Sequence, residues 1–229
     1  MNKQEEEWFE SPGSYKVLMD GRWELKDLSV ISREFEQCYA FIYCFDAEVS
    51  PLSEERIEIA LRGYPWRGGY SYLNIYTVLE GQVRWRDRPR LRSIQYASPG
   101  WIELAINADV AIQLAKSISA LSAAGAVAVK SYAAAAKALR ELNAHRKKKE
   151  LEHLKLTAEQ HKEMMRLSNE HAKHLGFKSV AALIQHTGNP EIALRLLLAH
   201  HRRIDEIIRL TIEEKAQFPT SLHPPSDES

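Results

Sequence analysis

Residues 108–144 can form little but one long helix. Leu114, Ile118, Leu121, Gly125, Ala128, Tyr132, Ala135, Leu139 and Leu142 recur at alternating spacings of four and three, the repeat of a helix that buries one stripe along its length. At about 1.5 Å per residue such a helix runs to roughly 55 Å, more than a compact domain accommodates. Small residues fill the middle of the stripe, which lets a second helix approach closely. The pattern therefore predicts self-association, with Leu114, Ile118, Leu121, Gly125, Ala128, Tyr132, Leu139 and Leu142 at the contact. The register fails at HRKKKELEH, residues 145–153, and a weaker pattern resumes at Leu154, Ala158 and Met165.

The first 107 residues have different packing chemistry. All five tryptophans (Trp8, Trp23, Trp66, Trp85, Trp101) lie there, whereas every histidine follows residue 144. YKVLM, residues 15–19, reads as a strand that Asp20-Gly21 turns toward RWEL, giving a possible hairpin. Phe35, Cys38, Tyr39, Ile42 and Phe45 mark an amphipathic helix with Ser32 as its N-cap. Ser50-Pro51 opens a second helix ending at Gly63, and SYLNIYTVLEG is a third. RLRSIQYA and WIELAI flank Ser98-Pro99-Gly100, strong turn chemistry, so a hairpin is expected. Strict alternation would put Ile94 and Tyr96 on one face with Arg90 and Arg92, and Leu91, Ser93 and Gln95 on the other.

Beyond Leu175-Gly176, KSVAALIQH and PEIALRLLLAHHRRIDEIIRLTIEEK form a helical hairpin around Thr187-Gly188-Asn189, with Asn189 as N-cap and Pro190 at the first helical position. The expected organisation is an aromatic-rich α+β head over 1–107, a long helical or coiled-coil region over 108–175, a C-terminal hairpin over 176–216 and an unstructured tail over 217–229. The fold class is α+β, with a small antiparallel sheet and helices followed by the long heptad-patterned helix, mainly helical as a whole.

The blocks YPWRGGYS, SIQYASPGWIEL, LGFKSVAAL and TGNPEIALRLLL resemble an uncharacterised bacterial protein family. That resemblance covers most of the chain and implies a bacterial, intracellular setting, with no activity, cofactor or catalytic residue attached.

Lysine plus arginine equal aspartate plus glutamate, 31 of each, so no global field draws the chain to phosphate or anionic lipid. The N-terminus, MNKQEEEWFESPG, has neither the basic start nor the apolar core of a secretion signal. Cys38 and Cys44 have no zinc or disulfide spacing and are read as reduced packing residues in a cytoplasmic protein.

Local chemistry is richer. Arg84, Arg86, Arg88, Arg90 and Arg92 alternate along one stretch with Trp85 among them, a comb able to meet phosphate while an aromatic ring stacks on a base. Pro89 and Asp87 interrupt it, which favours an exposed edge strand and linker guarded by charge, with some arginines paired to the acids of the 54–58 helix. The TGNP segment allows a helix-turn-helix, but the helix that follows is apolar around most of its circumference, as in a packed hairpin. Asp20, Glu24 and Lys26 hold the residue types of a metal-dependent nuclease without its spacing. Glu150 with His153, and His171 with His174, share helical faces but fall short of a carboxylate-bridged di-iron set, so solvated histidines are expected. No phosphate-cradling loop, Gly-x-Ser-x-Gly elbow or His-Glu-x-x-His occurs. The 13 uncharged residues of SISALSAAGAVAV are shorter than the approximately 20 that span a bilayer, leaving a membrane-acting helix as a second alternative.

The resulting expectation is a non-enzymatic homo-oligomeric assembly or adaptor protein with no cofactor or metal. Its head binds a protein partner through Trp66, Arg67, Arg84, Arg86 and Arg88; the alternative is nucleic-acid binding through Arg84–Arg92 or the TGNP helix.

Overall fold

The computed structural model describes residues 13–46, 48–50, 52, 54–62, 64, 68–148, 156–178 and 180–222. Strand β1 (Ser14–Met19) is followed by helices α1 (Leu25–Phe45), α2 (Glu54–Arg62) and α3 (Gly68–Gln82). A 3-10 turn at Trp85–Asp87 leads into the hairpin β2 (Arg90–Gln95) and β3 (Gly100–Ala105). Helices α4 (Ala108–Lys148), α5 (Ala158–His174), α6 (Ala181–Thr187) and α7 (Pro190–Ile212) come next, and β4 (Ala216–Gln217) closes the order. The sheet is antiparallel in the order β2-β3-β1-β4, so this is a mainly helical α+β fold.

β1 alternates buried Tyr15, Val17 and Met19 with outward Lys16 and Leu18, the period-two pattern of a strand covered on one face. The cover is α1, whose Phe35 stacks on Tyr15 with ring centroids 6.3 Å apart. The C-terminal half of α1, CYAFIYCF, is apolar all round and buried throughout; a helix of that kind belongs at the centre of a core. α3, α4 and α7 pack around it. Cys38 and Cys44 are free and buried there.

α1 begins at Leu25 behind Glu24, seven residues before the expected cap at Ser32, so RWEL is the entry to a helix and not the second arm of a hairpin. Leu25 projects into solvent, and the apolar periodicity that marks the helix starts only at Val30.

α4 spans the expected segment, but Gly125 lies at φ 46°, ψ −121° and breaks its helical path. The stripe residue assigned to close packing therefore marks a kink, exposed, in a conformation that glycine alone adopts readily. On either side of it the stripe is buried inside the single chain: Leu114, Ile118, Leu121, Ala128, Leu139 and Leu142 are at most 6 % exposed. Their cover is α1, α5 and α7, and Tyr132 is half-buried against His201, centroids 4.8 Å apart. The 3.5-residue repeat that predicts a partner helix is satisfied by the protein's own helices, as that repeat dictates that a stripe be covered but not by which chain.

One core cluster runs from Tyr15 through α1, α3, α4 and α7 to Ala216, with a smaller one where Leu139 meets Met164, Leu167 and Leu194. The expected tail starts inside the structure. Ala216 and Gln217 pair with Met19 and Leu18, Phe218 stacks on Phe35 at 6.3 Å, and Tyr15 Oη donates to the Pro219 carbonyl at 2.9 Å. Among the described residues one helix, Ala108–Lys147, is long and apolar enough to cross a membrane by length and composition, and 44 % of that window is buried within the fold.

Candidate functional site

The arginine turn is held from below by α1. Asp87 is buried; its carbonyl accepts the Tyr39 hydroxyl at 2.7 Å and its carboxylate accepts the Tyr43 hydroxyl. Tyr39 Oη in turn accepts the Asn107 backbone N–H at 3.3 Å. With Asp87 pointing in, Arg84, Arg86 and Arg88 point out and are exposed. The acid that interrupts the comb in sequence is thus the peg that presents it. Arg88 Nε donates to the Val83 carbonyl, and Arg90 lies over the Trp85 ring at 4.7 Å while donating to the Arg86 carbonyl. On the 54–58 helix, Arg56 donates to the Gln82 side chain and carbonyl.

β2 is the outer strand of the sheet and packs on β3 alone to any large extent among the described elements. A bulge between Leu91 and Ser93 resets its register, so Leu91 lies opposite Leu104 and Ile94 opposite Ile102. Directly opposed residues share a face, and Ile102 faces the core. Leu91 and Ile94 consequently share the core face of the sheet, with Tyr96 two residues on. Strict alternation put Leu91 on the other side; the extra residue of a bulge inverts the pattern beyond it. Arg90, opposite Ala105, turns to the other face, where Arg92 and Ser93 donate to Glu103 at 3.4 and 3.2 Å. Ser14 Oγ donates to the same carboxylate at 2.8 Å, and its hydrogen bond leads the causes that hold Glu103 below the usual carboxylate range.

The core face therefore continues past the last helix that covers it. Leu91, Ile94 and Tyr96 are 63 %, 48 % and 65 % exposed, in line along an edge whose outward main chain no other described strand pairs. The neighbouring turn is closely packed. A Cβ on Gly100 would collide with the carbonyl oxygens of Gln95 and Ala97, and Tyr96 Oη accepts the Trp23 backbone N–H at 3.5 Å. Beside the arginine turn, Glu36, Thr77, Glu80, Arg88 and Pro89 line a shallow cleft. Burial and then the Glu36 charge raise the Glu80 carboxyl.

Trp66 and Arg67 lie outside the described residues, as do Glu150 and His153. Of the nuclease trio, Asp20 is engaged in its turn: its carboxylate accepts the Gly21 N–H at 2.7 Å and the Ser98 hydroxyl. Glu24 heads α1, its N–H donating to Asp27 at 3.0 Å. No group of three or more His, Cys, Asp or Glu arranged to hold a metal occurs among the described residues.

The histidines depart most from the sequence reading. His171, His200 and His201 are buried. His171 and His201 stack at 4.9 Å, with Ser131 Oγ 3.3 Å from His171 Nδ1. His200 stacks on Phe41 at 4.1 Å and faces Phe177. Burial is the first cause that lowers all three, His171 to about 3. The signal was available: Ile192–Ala199 is apolar on all sides but that of Arg195, so His200 and His201, which follow directly in the same helix, enter the same core. Arg203, one turn on, lies 3.6 Å over the Tyr76 ring and 3.8 Å from Glu34.

Comparison of the chain with protein-family models, with curated proteins and with solved structures gives no match.

Proposed function

We propose that this protein is a non-enzymatic adaptor or assembly protein that docks an extended, acidic segment of a partner polypeptide along β2. The observation that carries the reading is the uncovered continuation of the core face onto the outer strand at Leu91, Ile94 and Tyr96, next to the arginine turn. An added strand gains main-chain hydrogen bonds from the edge, and alternate side chains give it specificity. The arginines add charge complementarity, which steers an acidic segment and disfavours other strands.

A protein partner is favoured over nucleic acid by the surroundings of the comb. A groove that tracks a phosphate backbone carries one sign of charge, whereas this turn is flanked by Glu36 and Glu80 and β2 by Glu103. Self-association through the α4 stripe loses its basis, since α5 and α7 already cover that stripe. Any assembly of copies falls to the edge instead.

The test is a labelled peptide of alternating glutamate and valine or tryptophan, titrated to millimolar concentration into wild type, Ile94→Lys and Arg86→Glu, with mass by light scattering. Saturable binding, abolished by Ile94→Lys and weakened about tenfold or more by Arg86→Glu, is the expected result; a change of about 1.4 kcal/mol corresponds to tenfold. Binding indifferent to both substitutions removes the reading. Tighter, steeply salt-dependent retention of single-stranded DNA would transfer the comb to nucleic acid.

A further inference from the structure

We infer that, until a partner docks, the edge is occupied by a second copy of this chain: β2 pairs antiparallel with its own counterpart about a two-fold axis between Arg92 and Ser93. This rests on the reading of β2 as a docking edge and adds what that edge must release before a partner binds.

Register carries the argument. Directly opposed residues of an antiparallel pair share a face, so two residues of one strand can oppose each other across a two-fold axis only if they lie on the same face. Leu91 and Ile94, three apart, would lie on opposite faces of a regular strand. The bulge between Leu91 and Ser93 puts both on the core face, which allows a self-pairing that sets Leu91 against Ile94 of the second copy. A bulge commonly ends pairing; here the bulges of the two copies meet at the axis, and the residue count between paired positions stays equal. Pro89 then lies opposite Tyr96, and Arg90 opposite Gln95. The exposed side chains of Leu91, Ile94 and Tyr96 all gain cover, and two four-stranded sheets become one.

Charge selects this register over its neighbours. Setting Leu91 against itself would place Arg90 opposite Arg92, and like charges directly opposed are destabilising. Setting Ile94 against itself would leave Leu91 opposite Ala97, past the end of the strand. In the Leu91–Ile94 register no arginine opposes another. The two Arg92 side chains come nearest at the axis, and each is paired with its own Glu103 at 3.4 Å. Exposed Arg88 falls opposite Ala97, beside the turn where the Asp20 carboxylate accepts the Ser98 hydroxyl. The arginine turn of each copy thus approaches an acid of the other.

The pairing runs over Pro89–Tyr96, roughly 25 Å at the rise of a strand. A contact of that length is at the small end of specific interfaces, under about 1,200 Å² in total. The dimer is accordingly reversible, with a dissociation constant on the order of 100 μM. A partner's segment and the second copy compete for one edge, so peptide affinity falls as the protein is concentrated.

The experiment is sedimentation equilibrium between about 1 μM and about 1 mM on wild type, Leu91→Lys, Ile94→Glu and an equimolar mixture of the two variants, one of them labelled. Both positions are largely exposed, so charge there should leave the circular dichroism unchanged. Wild type should dimerise, and each variant alone about tenfold or more weakly. The mixture should recover association, because the introduced lysine of one variant opposes the introduced glutamate of the other. Saturating glutamate-valine peptide should dissociate the wild-type dimer, a result that needs no variant. Wild type that stays monomeric throughout overturns the self-pairing, and peptide binding to that monomer leaves the docking edge standing. A dimer that both variants leave intact, or that binds peptide without dissociating, lies on another face and overturns it too. Folded variants that fail to recover in the mixture overturn the register.

Discussion

Tyr43 and Asp87, 44 residues apart, share a buried hydrogen bond in which the phenol donates to the carboxylate, and that contact fixes the arginine turn to the central helix. Tyr43→Phe leaves a buried carboxylate short of a donor. The expected cost is about 1–3 kcal/mol, read as a lower urea midpoint, with faster amide exchange at residues 84–90 than at β1. Unchanged exchange there would show that Asp87 does not hold the turn.

Gly125 should resist substitution although it is exposed. Apart from the adjacent backbone nothing lies within 4 Å of a Cβ built there, so Gly125→Ala tests local conformation and not packing. Holding alanine at φ 46°, ψ −121° costs on the order of 1–3 kcal/mol. The measurement is a thermal midpoint beside that of Ala126→Gly, which should lose only about 1 kcal/mol or less.

Leu121→Glu separates a stripe buried within one chain from one buried between chains. Leu121 is 4 % exposed in the single chain, and an unpaired carboxylate at such a position costs several kcal/mol. Circular dichroism should show loss of folded structure at every protein concentration. A variant that stays fully folded and changes only its mass in light scattering would return the stripe to the role of an interface.

Glu191 joins two helices through two arginines. Its carboxylate accepts Arg146 Nη2 at 2.8 Å and Arg195 Nη2 at 2.8 Å, tying the end of α4 to the first turn of α7. Burial raises its carboxyl, but the hydrogen bonds from Arg146 and Arg195 outweigh burial and the net direction is down. Glu191→Ala removes the shared carboxylate from two partly buried guanidinium groups, Arg195 retaining Asn143, at an expected cost of about 1–3 kcal/mol. With a folded value below the unfolded one, the pair's stabilisation is present above about pH 4.5 and fades as pH falls through the folded value. Urea midpoints of wild type and variant should therefore converge on acidification.

The three buried histidines act at higher pH. All are lowered in the fold, so below about pH 6.5 the unfolded chain binds protons that the folded chain does not. The sign is that stability holds above pH 6.5 and declines toward pH 3, by about 1.4 kcal/mol per pH unit for each histidine still neutral in the fold. His200→Leu should reduce the slope between pH 6 and 5 by one proton's share. An unaltered slope would mean that His200 does not stay neutral when buried.

Local chemistry was legible at several caps and turns, though not at Asp20-Gly21 or Ser32, where a helix begins at Leu25 instead. Asn189 caps α7, its side chain accepting the Glu191 N–H at 2.9 Å, and Ser98-Pro99-Gly100 closes the β2–β3 hairpin. The exposure of Arg84, Arg86 and Arg88 was legible too, because several like charges close together in one turn are costly to bury. The bulge at Leu91/Ser93 was not, since it depends on the register that β3 imposes.

By itself the sequence determined most of the helices, the strands β1, β2 and β3, the hairpin turn and the existence of an apolar stripe along α4. Backbone hydrogen bonding, capping and side-chain periodicity are properties of contiguous residues. Only the tertiary structure decided that α5 and α7 cover this stripe, that His171, His200 and His201 lie inside, and that the sheet's apolar face runs out uncovered at Ile94. Burial is settled between segments far apart in the chain, and a face left bare is defined by the packing that stops short of it.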